Sequence, residues 1–379
     1  MLIGLDGIPL TFPKTGVGHY TAQLVRALAS IAPEHEFRFI YPSLFSAAKF
    51  QLENSSPNVT AVRVPVRAVR RLWWSVGLPF YLRGQDLQLF HGTNYDIPLW
   101  RRCPTVLTIH DLSLLLHSQT HVKKSVRRGK RRLPVMAKTA DAIIVPTESI
   151  RGEVCEHLGI PEQRVFVVGE AAREMFLPVD FDATTETRKR LGITDQFVFT
   201  VGTVEPRKNI PTLIAAFEQI LRVFTDRQLQ LVIAGGRGWL SDASYSAIEK
   251  SPARKQIVLT DYLHDEDLRA LYSSCRVFVY PSLYEGFGLP PIEAMACGAP
   301  VVVSNIPALV ESTGGAAKVA DPYNADHLAR ALLEVLENDE ERQRLVVAGR
   351  RRAAELTWED AARKTLAVYE EVLRITPTH

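Results

Sequence analysis

The chain has 379 residues, 46% hydrophobic and 23% charged, with a mean hydropathy of −0.02, which excludes a disordered, collagen-like or membrane-embedded polypeptide. At about 100–200 residues per domain the length predicts two domains, each able to bury its own core. The net charge of +3 is too small for a nucleic-acid coat, but residues 1–180 hold 22 basic and 15 acidic side chains, a balance of +7, while the remainder stands at −4.

Four cysteines, Cys103, Cys155, Cys275 and Cys297, show neither CxxC spacing nor a disulfide framework, so reduced thiols and a cytoplasmic setting are expected. Met1 leads straight into an apolar alternation, with no charged n-region or small-residue cleavage site of a secretory signal. No apolar run approaches the roughly 18 residues of a spanning helix, so any membrane contact is expected to be peripheral.

In chain order, short β-branched or aromatic runs predict strands at 2–6, 36–41, 60–64, 87–91, 105–110, 142–146 and 164–168. Periodicity is lost from Leu177 to about 195, read as a linker. A second series then follows at 197–201, 229–234, 256–260, 276–280, 300–303 and 316–320. Helical patterns separate the strands, as in βα units of parallel sheets, so the fold class is α/β with two Rossmann-like domains, residues 1–178 and 179–356. The segment 357–379 opens on a capping pattern, Thr357-Trp-Glu-Asp360. It sets Trp358, Ala361, Ala362, Leu366, Tyr369, Val372 and Leu373 on one face of a docking helix. Asp180-Phe-Asp182 mimics a D-x-D metal motif, but with no flanking strand it is read as linker polarity, and no metal is expected.

The most informative stretch is Tyr280-Pro-Ser-Leu-Tyr-Glu-Gly-Phe-Gly-Leu-Pro-Pro-Ile-Glu293: a buried strand, a glycine loop, then a helix opened by proline and closed at Gly298. Open α/β sheets bind ligands beyond the carboxyl ends of such strands. Gly286 and Gly288 allow close backbone approach, and the free N–H groups at the helix start favour a phosphate. Glu285 and Glu293 would repel that anion, so they are read as acceptors for hydroxyls beside it, one on a sugar ring and one on a ribose. A second strand, Phe197–Val201, ends at Gly202 and leads into Glu-Pro-Arg207-Lys208-Asn at the same sheet edge, where adjacent cations suit a diphosphate.

These two motifs together resemble the retaining glycosyltransferases of family four, over essentially the whole chain. The resemblance implies a GT-B fold, with two Rossmann-like domains facing across a cleft and the last helix crossing back to the first. It also implies a nucleotide-sugar donor on the second domain and an acceptor mainly on the first. Carried onto matching positions, Arg207 and Lys208 hold the donor diphosphate, Glu285 contacts the transferred sugar and Glu293 holds the ribose. Gly286, Phe287, Gly288 and Leu289 complete the donor loop. Neither a metal nor another cofactor is implied.

In the first half, Gly16 and Gly18 open a helix and permit approach to phosphate or sugar. A dinucleotide fingerprint would need a third glycine where Thr21 stands. By the resemblance this loop faces the reaction centre. His110 and Asp111 end the fifth strand, where a histidine can bond the transferred sugar or orient an acceptor hydroxyl and an aspartate can accept a proton. The family usually has glycine where Asp261 stands, just before Tyr262, which borders the nucleotide base. A carboxylate there can accept from guanine N1–H and N2–H₂ or cap the loop.

Residues 63–83 interleave basic and aromatic side chains, Trp73 and Trp74 among them, and 123–132 form a second basic cluster. This composition suits the anionic inner face of a membrane and a lipid-linked acceptor, while Trp73 and Trp74 equally suit a core and the basic clusters a solvated helix face, and nucleic acid is disfavoured by the weak overall charge. The expected activity is hexosyl transfer with retention to a glycan or lipid-linked glycan, preferably mannose from GDP-mannose, with a UDP-sugar as the alternative. A glycosidase pairing Glu285 with Glu293 lacks a facing element. A nucleotide-sugar epimerase or a non-catalytic nucleotide-sugar-binding protein are the readings from other classes.

Overall fold

A computed structural model describes residues 1–11, 16–45, 56–66, 72–224 and 228–375. The chain divides into two compact units: Met1–Leu112, Arg127–Glu170 and Thr357–His379 form one, and Ser113–Val126 with Ala171–Leu356 the other.

The first unit holds strands β1 (Leu2–Asp6), β2 (Glu36–Pro42), β3 (Val59–Val64), β4 (Leu89–Gly92), β5 (Thr105–Thr108), β6 (Ala142–Val145) and β7 (Val165–Val167), ordered β3-β2-β1-β4-β5-β6-β7. The second holds β8 (Phe197–Val201), β9 (Gln230–Ala234), β10 (Ile257–Asp261), β11 (Val277–Tyr280), β12 (Val301–Ser304) and β13 (Lys318–Ala320), ordered β10-β9-β8-β11-β12-β13. Every neighbouring pair is parallel. All the strands expected from the sequence are present, and no end is displaced by more than two residues.

Burial on both faces explains why the strands read as continuous apolar runs. In β8, Val198 points into one buried cluster, with Leu213, Phe217 and Leu332 from the helices on that side. Its neighbours Phe197 and Phe199 point into the other, with Tyr272, Phe278 and Ile292.

One expectation is corrected and one open alternative is decided. The stretch read as an aperiodic linker contains a helix, Phe181–Leu191, and Asp180 caps it by accepting from Ala183 N at 2.9 Å. Its periodicity is faint because its face is polar, and the aspartate that mimicked a metal motif is a helix cap. Trp73 and Trp74 are core residues, packed with Leu78, Leu82 and Phe90. Arg67, Arg70 and Arg71, in the basic-aromatic segment, and Lys14, ahead of the first helix, lie outside the described residues.

The C-terminal helix, Trp358–Ile375, belongs to the first unit and packs on helix Gly16–Ile31. Its cap is the expected one, with Asp360 N donating to Thr357 Oγ1 at 3.1 Å. The buried face runs through Trp358, Ala361, Ala362, Thr365, Val368, Tyr369 and Val372. Thr365 and Val368 replace Leu366 and Leu373, which are half-buried. The Thr365 hydroxyl is tolerated because it donates to Ala361 O at 2.8 Å. No helix among the described residues is long and apolar enough to cross a membrane.

Candidate active site

The order of the second sheet reverses between β8 and β11, so the loops that follow these two strands leave in opposite directions and open a crevice at their carboxyl ends. Arg207 and Lys208 come from the first loop, and Glu285 comes from the second.

Gly202 ends β8 at φ 145°, and a Cβ there would lie 3.1 Å from the Lys208 stem, so only glycine lets that side chain lie back across the strand end. A short turn, Pro206–Lys208, is closed by Asn209 in the left-handed region at φ 58°. The Asn209 amide donates to Pro281 O at 3.1 Å and Pro322 O at 2.7 Å, and Leu283 N donates to Arg207 O at 2.8 Å. The two loops are thereby stitched together before any ligand arrives.

The Glu285 carboxylate is gripped on both sides, by Arg207 Nη1 at 2.7 Å and by Lys208 Nζ at 2.7 Å. Lys208 also bonds the Tyr280 hydroxyl and stands over that ring, 4.5 Å from its centroid. Arg207 donates further to Tyr284 O at 2.9 Å and to Glu205 Oε1 at 2.7 Å. Burial would push the Glu285 carboxyl up, but Arg207 and Lys208 outweigh it and hold it down at about 2. Glu285 is therefore a fixed anion that only accepts hydrogen bonds. Burial lowers the Lys208 ammonium from its ordinary value, against the pull of Glu285. Arg207, assigned to the diphosphate from sequence, has its guanidinium spread over Glu205, Glu285 and a carbonyl, so it braces Glu285 and the loop.

Gly288 caps helix Leu289–Ala296 at φ 93°, where a Cβ would also sit 2.4 Å from a Leu309 methyl. Phe287 is buried beneath the loop and Leu289 half-buried. One helical turn on, Glu293 is buried. Its Oε1 accepts from Arg173 Nε at 3.2 Å and its Oε2 from the Tyr272 hydroxyl at 3.5 Å. Burial dominates here and raises the carboxyl to about 7 against the pull of Arg173. The two glutamates of one motif are thus driven in opposite directions by their surroundings.

At the end of β10, Asp261 takes φ 52°, and its carbonyl accepts from Gly235 N at 2.7 Å. This is the conformation that favours glycine, which accounts for the residue expected there, and aspartate is among the side chains that tolerate it. Asp261 and Tyr262 are both exposed.

In the first unit, His110 Nε2 lies 2.9 Å from Thr93 O and Nδ1 lies 3.4 Å from Glu170 Oε1. A carbonyl only accepts, so Nε2 carries a hydrogen, and the longer contact to Glu170 is the one a ligand can take over. The Asp111 N–H donates to the Tyr95 hydroxyl at 3.1 Å. Gly16, exposed, and Gly18, buried, begin helix Gly16–Ile31.

Sequence reading missed Glu205, Arg173 and His91. Glu205 lies within the Glu-Pro-Arg-Lys segment beside the two cations, and its buried carboxyl is raised by burial against Arg207 and Lys208. Arg173 had no motif to announce it. His91 bonds the Tyr369 hydroxyl at 2.7 Å and Thr108 Oγ1 at 2.8 Å, and Thr108 meets the Tyr20 hydroxyl at 3.2 Å. Burial lowers this imidazole to about 3, so it is neutral.

Residues 14–170 match the family described as Glycosyltransferase Family 4, and residues 183–352 match Glycosyl transferases group 1. O-antigen chain mannosyltransferase B of Escherichia coli is 31% identical over 96% of this chain and 97% of its own length. Serotype-specific mannosyltransferase WbdA of Escherichia coli is 30% identical over 75% of this chain, which spans 36% of that longer protein. Among solved structures, sucrose-phosphate synthase of Thermosynechococcus elongatus superposes with a TM-score of 0.77 at 21% identity, over 99% of both chains. HepE of Anabaena, solved with UDP and glucose, gives 0.77 at 16% identity, over 98% of this chain and 99% of that one. Matched nearly end to end by a relative above 30% identity, the chain belongs to family four of the glycosyltransferases and is a glycosyltransferase.

Proposed function

We propose that this enzyme transfers mannose from GDP-mannose, with retention at the anomeric carbon, to a hydroxyl of a glycan or lipid-linked glycan. The observation that carries the reading is the Lys208–Glu285–Arg207 cluster at the β8/β11 switch point: an ionised acceptor for sugar hydroxyls fixed beside a lysine that can turn to a diphosphate. The departing charge is stabilised by Lys208 and by the N–H groups at the start of helix Leu289–Ala296, so this reading requires no metal. The leaving diphosphate takes the acceptor proton on the same face, His110 bonds the transferred sugar, and Asp111 and the Gly16–Gly18 turn border the acceptor. Glu293 holds the ribose, and Asp261 with Tyr262 borders the base.

The mannosyltransferase relative supports the sugar, and the exposed Asp261 carboxylate supports guanine through its N1–H and N2–H₂ donors. HepE, solved with UDP and glucose, favours the second reading, a UDP-sugar donor. Thermal-shift titration with GDP, UDP, GDP-mannose and UDP-glucose separates them, since only the true donor pair gives a large stabilisation, and proton NMR of the product reads the anomeric configuration. Lys208→Ala is expected to lower kcat by about 10²–10³, the scale of a lost charge-stabilising donor, and also to lower the thermal midpoint, because one of the two cations paired with buried Glu285 is lost, so rates are read at a temperature where the variant is folded. Parental turnover in that variant sinks the assignment.

A peripheral position at the inner face of the membrane accompanies this reading. Leu72, Val76 and Phe80 are exposed at four-residue spacing on the segment whose tryptophans are buried, and Trp100 is exposed beside Leu99, whose N–H donates to Trp74 O at 2.9 Å. Arg127, Arg128, Lys130 and Arg131 are exposed in the same unit. Exposed apolar side chains with basic neighbours suit an anionic leaflet.

A further inference from the structure

Arg173 is a nearly buried cation, 7% exposed, a few residues into the second unit. Its guanidinium is held at three points. Nε donates to Glu293 Oε1 at 3.2 Å, Nη1 donates to Asp265 Oδ2 at 2.6 Å, and the group lies over the Phe176 ring, 4.5 Å from its centroid. Asp265 is the outer anchor, with its side chain 35% exposed, whereas Glu293 is 9% exposed and would be an isolated buried charge without Arg173. The only other bond to that carboxylate among those described is the long one from Tyr272 to Oε2. A carboxylate has about four lone-pair directions, so a carboxylate fixed through Oε1 keeps acceptor capacity for a vicinal diol.

We propose that Arg173 is the positioning residue for donor binding: pinned between Asp265 and Phe176, it orients Glu293 and holds it as an anion for the ribose hydroxyls. This deepens the reading above and rests on Glu293 as the ribose ligand. Among the described residues, the ionisable groups facing Glu293 are Arg173, Asp265, Tyr272 and, just past the end of its own helix, Cys297. Arg173 is the only cation among them, so its removal makes the carboxyl harder to ionise.

The experiment uses calorimetric binding of GDP and UDP, which carry the same ribose, across pH 6.5–9, on the parent, Arg173→Ala, Arg173→Lys, Asp265→Asn and Glu293→Gln. Arg173→Ala is expected to weaken the bound nucleotide tenfold or more at pH 7 and to recover most of that by pH 9. Arg173→Lys should retain much of the affinity, and Asp265→Asn should lose only a few-fold. The 2′-deoxynucleotides should bind the parent more weakly but Arg173→Ala no more weakly than ribonucleotides do. A loss in Arg173→Ala that is flat with pH, or no loss, overturns the positioning role. Unchanged binding in Glu293→Gln overturns the ribose reading instead, so the two failures are distinct. Asp265→Asn leaves the buried Arg173–Glu293 pair in place, which keeps the test open if Arg173→Ala does not fold.

Discussion

Glu285 and Glu293 share a sequence motif but have opposite acid–base behaviour, and each difference can be measured. Glu285, held at about 2, stays ionised throughout the physiological range. Glu293, raised to about 7 by burial, takes up a proton as the pH falls through neutrality and then no longer presents an anion to a hydroxyl. Donor KM is therefore expected to rise by up to about tenfold per pH unit below 7 while kcat stays nearly flat. The free protein moves the other way. A carboxyl whose folded value exceeds its unfolded one binds its proton more tightly when folded, so its contribution to stability grows as pH falls from about 7 toward the ordinary carboxylate range. Thermal melts with and without nucleotide at pH 6 and 8 check both signs: the ligand-induced shift should shrink in acid while the Glu293 contribution to the apo midpoint increases. Glu285→Gln removes one charge from a grip made by two cations, and is expected to reduce kcat at least about 10²-fold at every pH, read by initial rates at saturating donor.

At the scale of elements, the strands were legible because parallel strands buried on both faces must be apolar and β-branched along their whole length, a pattern that Phe197–Val201 and Val277–Tyr280 both show. The loops were legible as far as glycine and proline mark them, hence Gly288 and the Pro-started helix. What could not be read was long-range pairing of single polar residues. Arg173 reaches Glu293 across 120 positions and His91 reaches Tyr369 across 278, with no local periodicity to signal either. Helix Phe181–Leu191 was missed for another reason, its mostly polar sequence carrying only a weak apolar stripe. The C-terminal helix shows what such pairing contributes. Tyr369 is fully buried and satisfies neutral His91, which in turn bonds Thr108. Tyr369→Phe leaves His91 Nδ1 without this partner and should cost about 1–3 kcal/mol. Tyr369→Ala adds a cavity and should cost about 3–5 kcal/mol, both read by denaturant unfolding.

For the whole molecule, the charge split between the two halves of the sequence predicts a salt-sensitive surface. Binding to vesicles with a quarter of anionic lipid is expected at low ionic strength and should fall steeply between 0.05 and 0.5 M salt, as the Debye length shrinks from about 14 Å to about 4 Å. Phe80→Ser should weaken it at every salt concentration, because an inserted ring is lost rather than a charge, whereas Arg131→Glu should weaken it most at low salt. Vesicle co-sedimentation reads both. Equal retention of both variants with the parent removes the peripheral reading and leaves the glycosyltransferase assignment untouched. The chain also leaves the first unit and returns to it for its last helix. Truncation after Leu356 strips the cover from the buried faces of Tyr20 and His91, so loss of the final helix should disrupt the first unit although that helix is separated from it by the whole of Ala171–Leu356.

The left-handed bend at Asp261 carries a constraint of its own. A side chain that branches or bulks at its β-carbon is penalised in that bend, so the substitutions the backbone accepts cheaply are glycine and asparagine. Glycine erases the carboxylate and asparagine neutralises it, offering an amide in its place. On the proposed reading of Asp261 as a base contact, drift in nucleotide preference at this corner would be confined to a three-letter alphabet, and a glycine here would leave base discrimination to some other group.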